Sequence, residues 1–129
     1  MSAERDAVLT AQYVALTTYR RDGTPVTTPV WAAAEGERLY LFSNANAGKV
    51  KRLRNGSRAA VAPCTATGTI TGTSIAAEAV ILPSDQMPRV WGLLIKKHGI
   101  AARLFAAYDR VRALLRMRPS AGIEVRLTT

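Results

Sequence analysis

The chain has 129 residues, 48% of them hydrophobic, with eighteen Lys and Arg against nine Asp and Glu, a formal charge of +9. That length suits a single domain around one core, and the cation excess points to an acidic partner: nucleic acid, a membrane surface or a polyanionic small molecule. One cysteine, Cys64, excludes an intramolecular disulfide framework and any multi-cysteine zinc site, and with a polar start from Met1 to Asp6 and no apolar run of membrane-span length it sets the cytoplasm as the expected compartment.

In chain order, Ala3 to Gln12 suits a short helix with Val8 and Leu9 as its apolar contacts. The period then changes to two. Tyr13 to Tyr19 predicts a strand with Val14 and Leu16 on one face and Tyr13 and Tyr19 on the other. Asp22-Gly23 signals a tight hairpin in which both central residues take positive φ. Val26 to Ala33 returns, Glu35-Gly36-Glu37 turns again, and Arg38 to Phe42 completes an expected three-stranded meander.

Ser43 and Asn44 follow, residue types that cap helices, and a short basic helix is expected to end at Asn55-Gly56 with a left-handed residue. At about 100° per residue Val50 and Leu53 share its buried side, and Lys49 sits beside them in the first turn. Two further strands are expected at Arg58 to Thr65 and Ile70 to Leu82, the second bending at Gly72. Pro83-Ser84-Asp85 opens a helical segment to about Arg118, interrupted near His98-Gly99, with Ile100, Leu104, Tyr108, Val111 and Leu115 at helical spacing. A last strand places Ile123, Val125 and Leu127 inward and Glu124 and Arg126 outward. Five or six short strands joined by tight turns predict a small, mainly β, antiparallel barrel with helical additions.

Three stretches carry chemistry. Between Arg38 and Ala77 there is no Asp or Glu, yet six Lys or Arg; a solvated surface helix would usually mix both signs, so Lys49 near a helix start suits a phosphate or carboxylate. Pro29 within Thr27-Thr28-Pro29-Val30-Trp31 cannot donate to a ladder, so it marks either a protected edge beside a core tryptophan or a gap that holds a flat heteroaromatic ring. From Ser84 to Arg118 eight cations stand against two Asp; membrane docking fits that pattern, although packing of Ile100, Leu104 and Tyr108 on the barrel or a second subunit is the favoured expectation. His98, the one histidine, is expected to cap its helix, and Cys64 to be a buried small hydrophobe. Neither a catalytic triad nor a metal site is expected.

Tyr13 to Thr18, Asp22-Gly23, Thr28 to Trp31, Leu41-Phe42-Ser43, Gly48 to Asn55, Arg58 to Cys64, Lys97-His98-Gly99 and Gly122 to Leu127, in that order and spacing, resemble the pyridoxamine-phosphate-oxidase-like flavin/deazaflavin oxidoreductases. The likeness is greatest to their small actinobacterial coenzyme F-420-dependent type. It implies a split β-barrel homodimer holding its cofactor in a groove at the subunit interface. Lys49 matches the phosphate-binding lysine, Ser43 and Asn44 the polar residues before the helix, and Thr28, Pro29, Val30 and Trp31 the strand bordering the ring. Lys51, Arg52 and Arg54 then suit the phosphate or the polyglutamate tail. Gly48 stands where the vitamin oxidase has a basic residue, and that enzyme's C-terminal substrate-binding extension is not matched, which favours F-420 over FMN. The implied reaction is hydride transfer from the reduced deazaflavin to an electron-poor small molecule. A non-catalytic cofactor carrier and, more remotely, a nucleic-acid-binding barrel are the alternatives.

Overall fold

The computed structural model describes residues 3–44, 47–115 and 120–128. Its elements are α1 (Ala3–Thr10), β1 (Tyr13–Tyr19), β2 (Pro25–Trp31), β3 (Ala33–Glu35), β4 (Arg38–Asn44), α2 (Gly48–Arg54), β5 (Arg58–Cys64), β6 (Ile75–Ile81), α3 (Met87–His98), α4 (Ile100–Leu114) and β7 (Ser120–Leu127). The seven strands form one antiparallel sheet in the order β2-β1-β5-β6-β7-β4-β3. β2 and β3 are its two edges, yet only Ala32 separates them in sequence. Successive Cα atoms are about 3.8 Å apart, so the sheet has to curl until its edges meet at Ala32. The result is a split barrel.

This closure replaces the expected meander. The run from Val26 to Ala33 is two strands, and β4 pairs with β7 and β3 instead of β2. Val14 and Leu16 of β1, Leu39 and Leu41 of β4, Val61 of β5 and Ile123 and Val125 of β7 fill the concave side, joined by Val8 of α1 and by Val50 and Leu53 of α2. A second apolar layer lies outside, where Val90, Trp91 and Leu94 of α3 and Ala102 of α4 pack on Ala33 and Tyr40. Gly122 of β7 admits α3 closely, since a Cβ there would stand 2.8 Å from the Met87 sulfur.

Several local expectations change for physical reasons. The first hairpin turns on Arg21-Asp22 as its central pair, with the Gly23 N–H donating to Arg20 O at 2.8 Å and Gly23 following at positive φ, 91°. β4 runs on through Ser43 and Asn44, so the residue flanking α2 is Ala47, which makes no side-chain capping bond. At the other end Asn55 has φ −94°, right-handed, and its N–H closes the turn on Arg52 O. The second long strand starts only at Ile75; Gly72 lies flush on the Pro63 ring, where a Cβ would come within 2.6 Å. Pro63 is tolerated because the β5–β6 ladder ends at Val61↔Ile75. The helical segment breaks at Gly99, φ 70°, whose N–H donates to Ile95 O at 2.8 Å. Arg116 and Arg118 lie outside the described residues. Ile100, Leu104 and Tyr108 do not pack on the barrel; all three are exposed.

Glu124 is the clearest departure. It points away from the concave side, as its alternation requires, but α3 covers that face and leaves it only 5% exposed. The Tyr40 hydroxyl donates to its Oε2 at 2.9 Å, Arg126 Nε donates to Oε1 at 2.7 Å, and Arg38 stands 3.7 Å from Oε2. Burial alone would raise this carboxyl, but the bonds from Arg126 and Tyr40 and the charges of Arg126 and Arg38 outweigh it and hold it below the usual glutamate value. A depressed carboxyl stabilises the fold above its unfolded pKa, about 4.3, and that contribution is lost as pH falls through the folded value. Glu124→Gln is therefore expected to cost about 1–3 kcal/mol at neutral pH. Chemical denaturation should show wild type and variant converging at acid pH, and a constant difference down to pH 2 would remove Glu124 from this role.

Candidate functional site

The seam of the barrel is the place to look for a ligand, because β2 is an edge strand there and has no partner on its outer side. Alternation puts Thr27, Pro29 and Trp31 on the convex face, with β1 supplying Tyr13 opposite Trp31, Ala15 opposite Pro29 and Thr17 opposite Thr27. The last pair is joined by a hydrogen bond of 2.7 Å between the two hydroxyls. Pro29 needs no ladder partner on the open side, which is why an edge tolerates it.

Across the seam stands the end of β4. Tyr13, Pro29, Val30, Trp31, Phe42, Ser43, Asn44, Ala47, Lys49 and Ala66 line a slit of about 360 Å³. Six of the ten expected cofactor residues meet here: Pro29, Val30, Trp31, Ser43, Asn44 and Lys49. Its walls are aromatic. Trp31 meets Tyr13 at 6.5 Å and Phe42 at 6.4 Å between ring centroids. From behind, the His98 imidazole stacks on Trp31 at 4.9 Å with 9° between planes, and Phe105 meets it edge-on at 5.2 Å.

His98 thus does not cap its own helix. Its Nε2 lies 3.1 Å from Ala32 O, at the point where the sheet edges meet. Burial lowers its pKa, the Ala32 carbonyl opposes this and the Lys97 charge adds to it, so a neutral imidazole backs the tryptophan at neutral pH. Cys64 is buried, and burial pushes its thiol up, which suits a small core residue and not a nucleophile.

At the floor of the slit Lys49 Nζ donates to Ser43 Oγ at 3.4 Å. Among the described residues no carboxylate pairs with it. Its pKa is lowered, first by burial and then by the charge of Arg52. A half-buried ammonium without a counter-charge is unfavourable by itself, and a bound anion would relieve both causes.

The other expected cations lie elsewhere. Arg52 Nε donates to the buried Thr18 hydroxyl at 2.7 Å, and its Nη1 occupies the space beside Gly48, 2.7 Å from where a Cβ would be. A residue with a side chain at position 48 would displace that guanidinium. Lys51 and Arg52 line a second, larger groove of about 540 Å³ together with Tyr19, Arg20, Arg21, Gly23, Asn55, Gly56 and Arg58. Its lining holds five cations and no carboxylate. Asp22, next to it in sequence, accepts from the Thr24 N–H at 2.9 Å, and the Arg58 guanidinium lies 3.9 Å from the centre of the Tyr19 ring. Arg54 lines neither cavity. Thr28 faces the concave side, and its buried Oγ1 has no hydrogen-bond partner.

Sequence reasoning missed Tyr13, Phe42 and the hairpin arginines Arg20 and Arg21 as site residues. The signal for Tyr13 was its place opposite Trp31, readable once β1 and β2 are paired. Arg20 and Arg21 carried no local signal, because only the closed sheet brings the hairpin tip beside α2.

The slit fits a flat aromatic ring bearing an anion: aromatic and apolar walls, and an uncompensated ammonium at one end. Comparisons with known proteins agree with this fold. Solved structures similar to this one include the protein Rv2991 from Mycobacterium tuberculosis, at 22% identity and TM-score 0.69 over 100% of this chain and 82% of that one. A FAD-binding protein from Mesorhizobium loti matches at 19% identity and TM-score 0.65, over 100% and 90% of the two chains. HutZ, the heme storage protein of Vibrio cholerae, matches at 10% identity and TM-score 0.69, over 97% and 87%. At such identities the likeness is one of fold. No curated protein matches the sequence. The profile of the family described as pyridoxamine 5'-phosphate oxidase matches residues 1–126, and the chain belongs to that family.

Proposed function

We propose that the chain binds coenzyme F-420 in the slit and serves as an oxidoreductase, passing hydride from the reduced deazaflavin to an electron-poor small molecule such as an enone, quinone or tetrapyrrole. One observation carries the reading: Lys49, half-buried and without a carboxylate partner among the described residues, stands between an aromatic slit and a groove of five cations that Arg52 lines. A ring lies against Trp31, Pro29 and Phe42, its phosphate on Lys49 with Ser43 and Asn44, and an oligocarboxylate tail in the groove of Lys51, Arg52, Arg20, Arg21 and Arg58. Arg54 adds to the field without lining either cavity.

The cofactor, once reduced, supplies the hydride; this chain's residues bind, orient and exclude water. His98 and Phe105 fix the plane of Trp31, and Trp31 fixes the ring. A second subunit covering the seam would complete the groove, so the active form in this reading is a homodimer in the cytoplasm. No side chain in the slit stands out as a general acid, and solvent is the proton source.

FMN is the second reading, favoured by the FAD-binding protein of the same fold. It ends at its phosphate and leaves the five-cation groove unused. Titration with oxidised F-420 and separately with FMN, followed by fluorescence at near-physiological salt, separates the two. Tight binding of F-420 alone supports the main reading, and binding of FMN alone replaces it. If neither binds while nucleic acid binds with a steep salt dependence, both readings fail. Oxidation of reduced F-420 by an enone or quinone in the presence of the protein then distinguishes an enzyme from a carrier.

Lys49→Ala is expected to weaken F-420 binding roughly ten- to hundredfold, the range for a hydrogen bond to a charged group. Because burial lowers the Lys49 pKa, affinity should fall on the alkaline side at a pH below that of an ordinary lysine, while Lys49→Arg keeps its charge and stays flat there. Unchanged affinity in the Ala variant would remove Lys49 from the site. Arg21→Ser and Lys51→Ser should each weaken tail-bearing F-420 by about two- to fivefold, more at low salt, and leave FMN or a tail-free deazaflavin unaffected. Equal losses for both kinds of ligand would place the tail elsewhere.

A further inference from the structure

The outer face of α4 has no use in the reading above. α4 is held to the body by Ala102, buried against Val90, Trp91 and Leu94, and by Phe105 against Trp31. On the opposite side, at about 100° per residue, Ile100, Val111, Leu104, Leu115 and Tyr108 fall within a stripe about 80° wide, with Leu114 along one border. These six are between 51% and 77% exposed. Single exposed apolar residues are ordinary; a stripe running the length of a helix marks an interaction face.

The borders of the stripe identify the partner. Arg103 and Arg110 lie beyond Leu114 on one side. Arg112 lies beyond Tyr108 on the other, its guanidinium 5.9 Å from the centre of that ring. The acid of this helix, Asp109, sits on the body side, where its Oδ1 accepts from the Ser120 N–H at 2.7 Å. Apolar side chains flanked on both sides by cations, with no outward carboxylate, would set arginine against arginine in a face-to-face pair of copies. Anionic lipid headgroups complement those borders while the stripe enters the acyl boundary. No helix among the described residues is long and apolar enough to cross a membrane, so contact of this kind lies in the plane of the interface.

We propose that α4 docks the chain on an anionic membrane surface, with the stripe from Ile100 to Leu115 turned into the lipid and the flanking arginines on the headgroups. Docking needs no bound cofactor and stands apart from the oxidoreductase reading. The test uses the full chain and vesicles of phosphatidylcholine alone or mixed with phosphatidylglycerol, scored by co-sedimentation.

A chain charged at +9 would adhere to anionic vesicles by charge alone, so the deciding variant is Leu104→Ser/Leu115→Ser, which leaves the charge unchanged. Its partition onto the mixed vesicles should fall roughly tenfold or more, and Arg103→Gln/Arg110→Gln should also weaken it. Tyr108→Trp should add an emission that shifts to the blue with the mixed vesicles and not with phosphatidylcholine alone. Equal partition of wild type and Leu104→Ser/Leu115→Ser would overturn the proposal, as would absence of vesicle binding. So would conversion of a dimer to a monomer by Leu104→Ser/Leu115→Ser in sedimentation equilibrium, since the stripe would then be covered by a second copy.

Discussion

Everything in this fold depends on one connection. Trp31 ends one edge strand, Ala33 begins the other, and Ala32 between them is wholly buried. An open seven-stranded sheet could not satisfy that link; a curled one can, and its concave side then has to be filled. Val14, Leu16, Leu41, Val61 and Val125 fill it, and α2 contributes Val50 and Leu53. Closure also creates the seam. Two edges meet at Ala32 but β2 stays unpaired on its outer side, so the slit is a consequence of how the barrel shuts.

The electrostatics follow from the same closure. α2 brings Lys49 into a place where burial works against its charge, and Arg52 works against it again. Nothing acidic in the sequence between Arg38 and Ala77 can answer. Cations stand also on the hairpin tip, at Arg20 and Arg21, and at the start of β5, at Arg58, and the closed sheet gathers them beside α2. Self-repulsion of this kind destabilises the fold unless an anion neutralises it. Elsewhere the chain does pair its charges: Glu124 holds Arg126 and Arg38, and Glu35 holds Arg89. The contrast within one molecule is what gives the unpaired group its meaning.

The local grammar was legible in the residues alone. β1 alternates as expected, a hairpin turn falls beside Asp22-Gly23, Gly99 breaks the helices, and Lys49 stands out by the missing acids around it. What required the structure was long-range. The run from Val26 to Ala33 reads as one strand because nothing local marks Ala32 as a junction between opposite edges. Glu124 reads as outward and solvated because alternation reports which face a side chain occupies and not whether α3 lies on that face. The groove is not legible in the sequence because its cations come from the β1–β2 hairpin, α2 and the start of β5, and spacing along the chain carries no record of their meeting. In the sequence Pro29 reads equally as an edge residue and as the border of a ring gap. It proves to be an edge residue that also lines the slit, since in a split barrel the edge and the gap are one place.

Trp31 ties the two outer surfaces together. Its ring forms a wall of the slit on one side and is held from behind by His98, at the end of α3, and by Phe105, on α4. Gly99, whose positive φ few other residues adopt, sets the angle between those helices. Phe105 thus packs the helix that carries the exposed stripe directly on the ring that walls the slit. The His98 bond to Ala32 O anchors the same cluster to the junction that closes the barrel. The ring that walls the slit, the helix that carries the exposed stripe and the residue that joins the two sheet edges are thus linked by one continuous set of packed contacts, because the sheet closes where Trp31 gives way to Ala32.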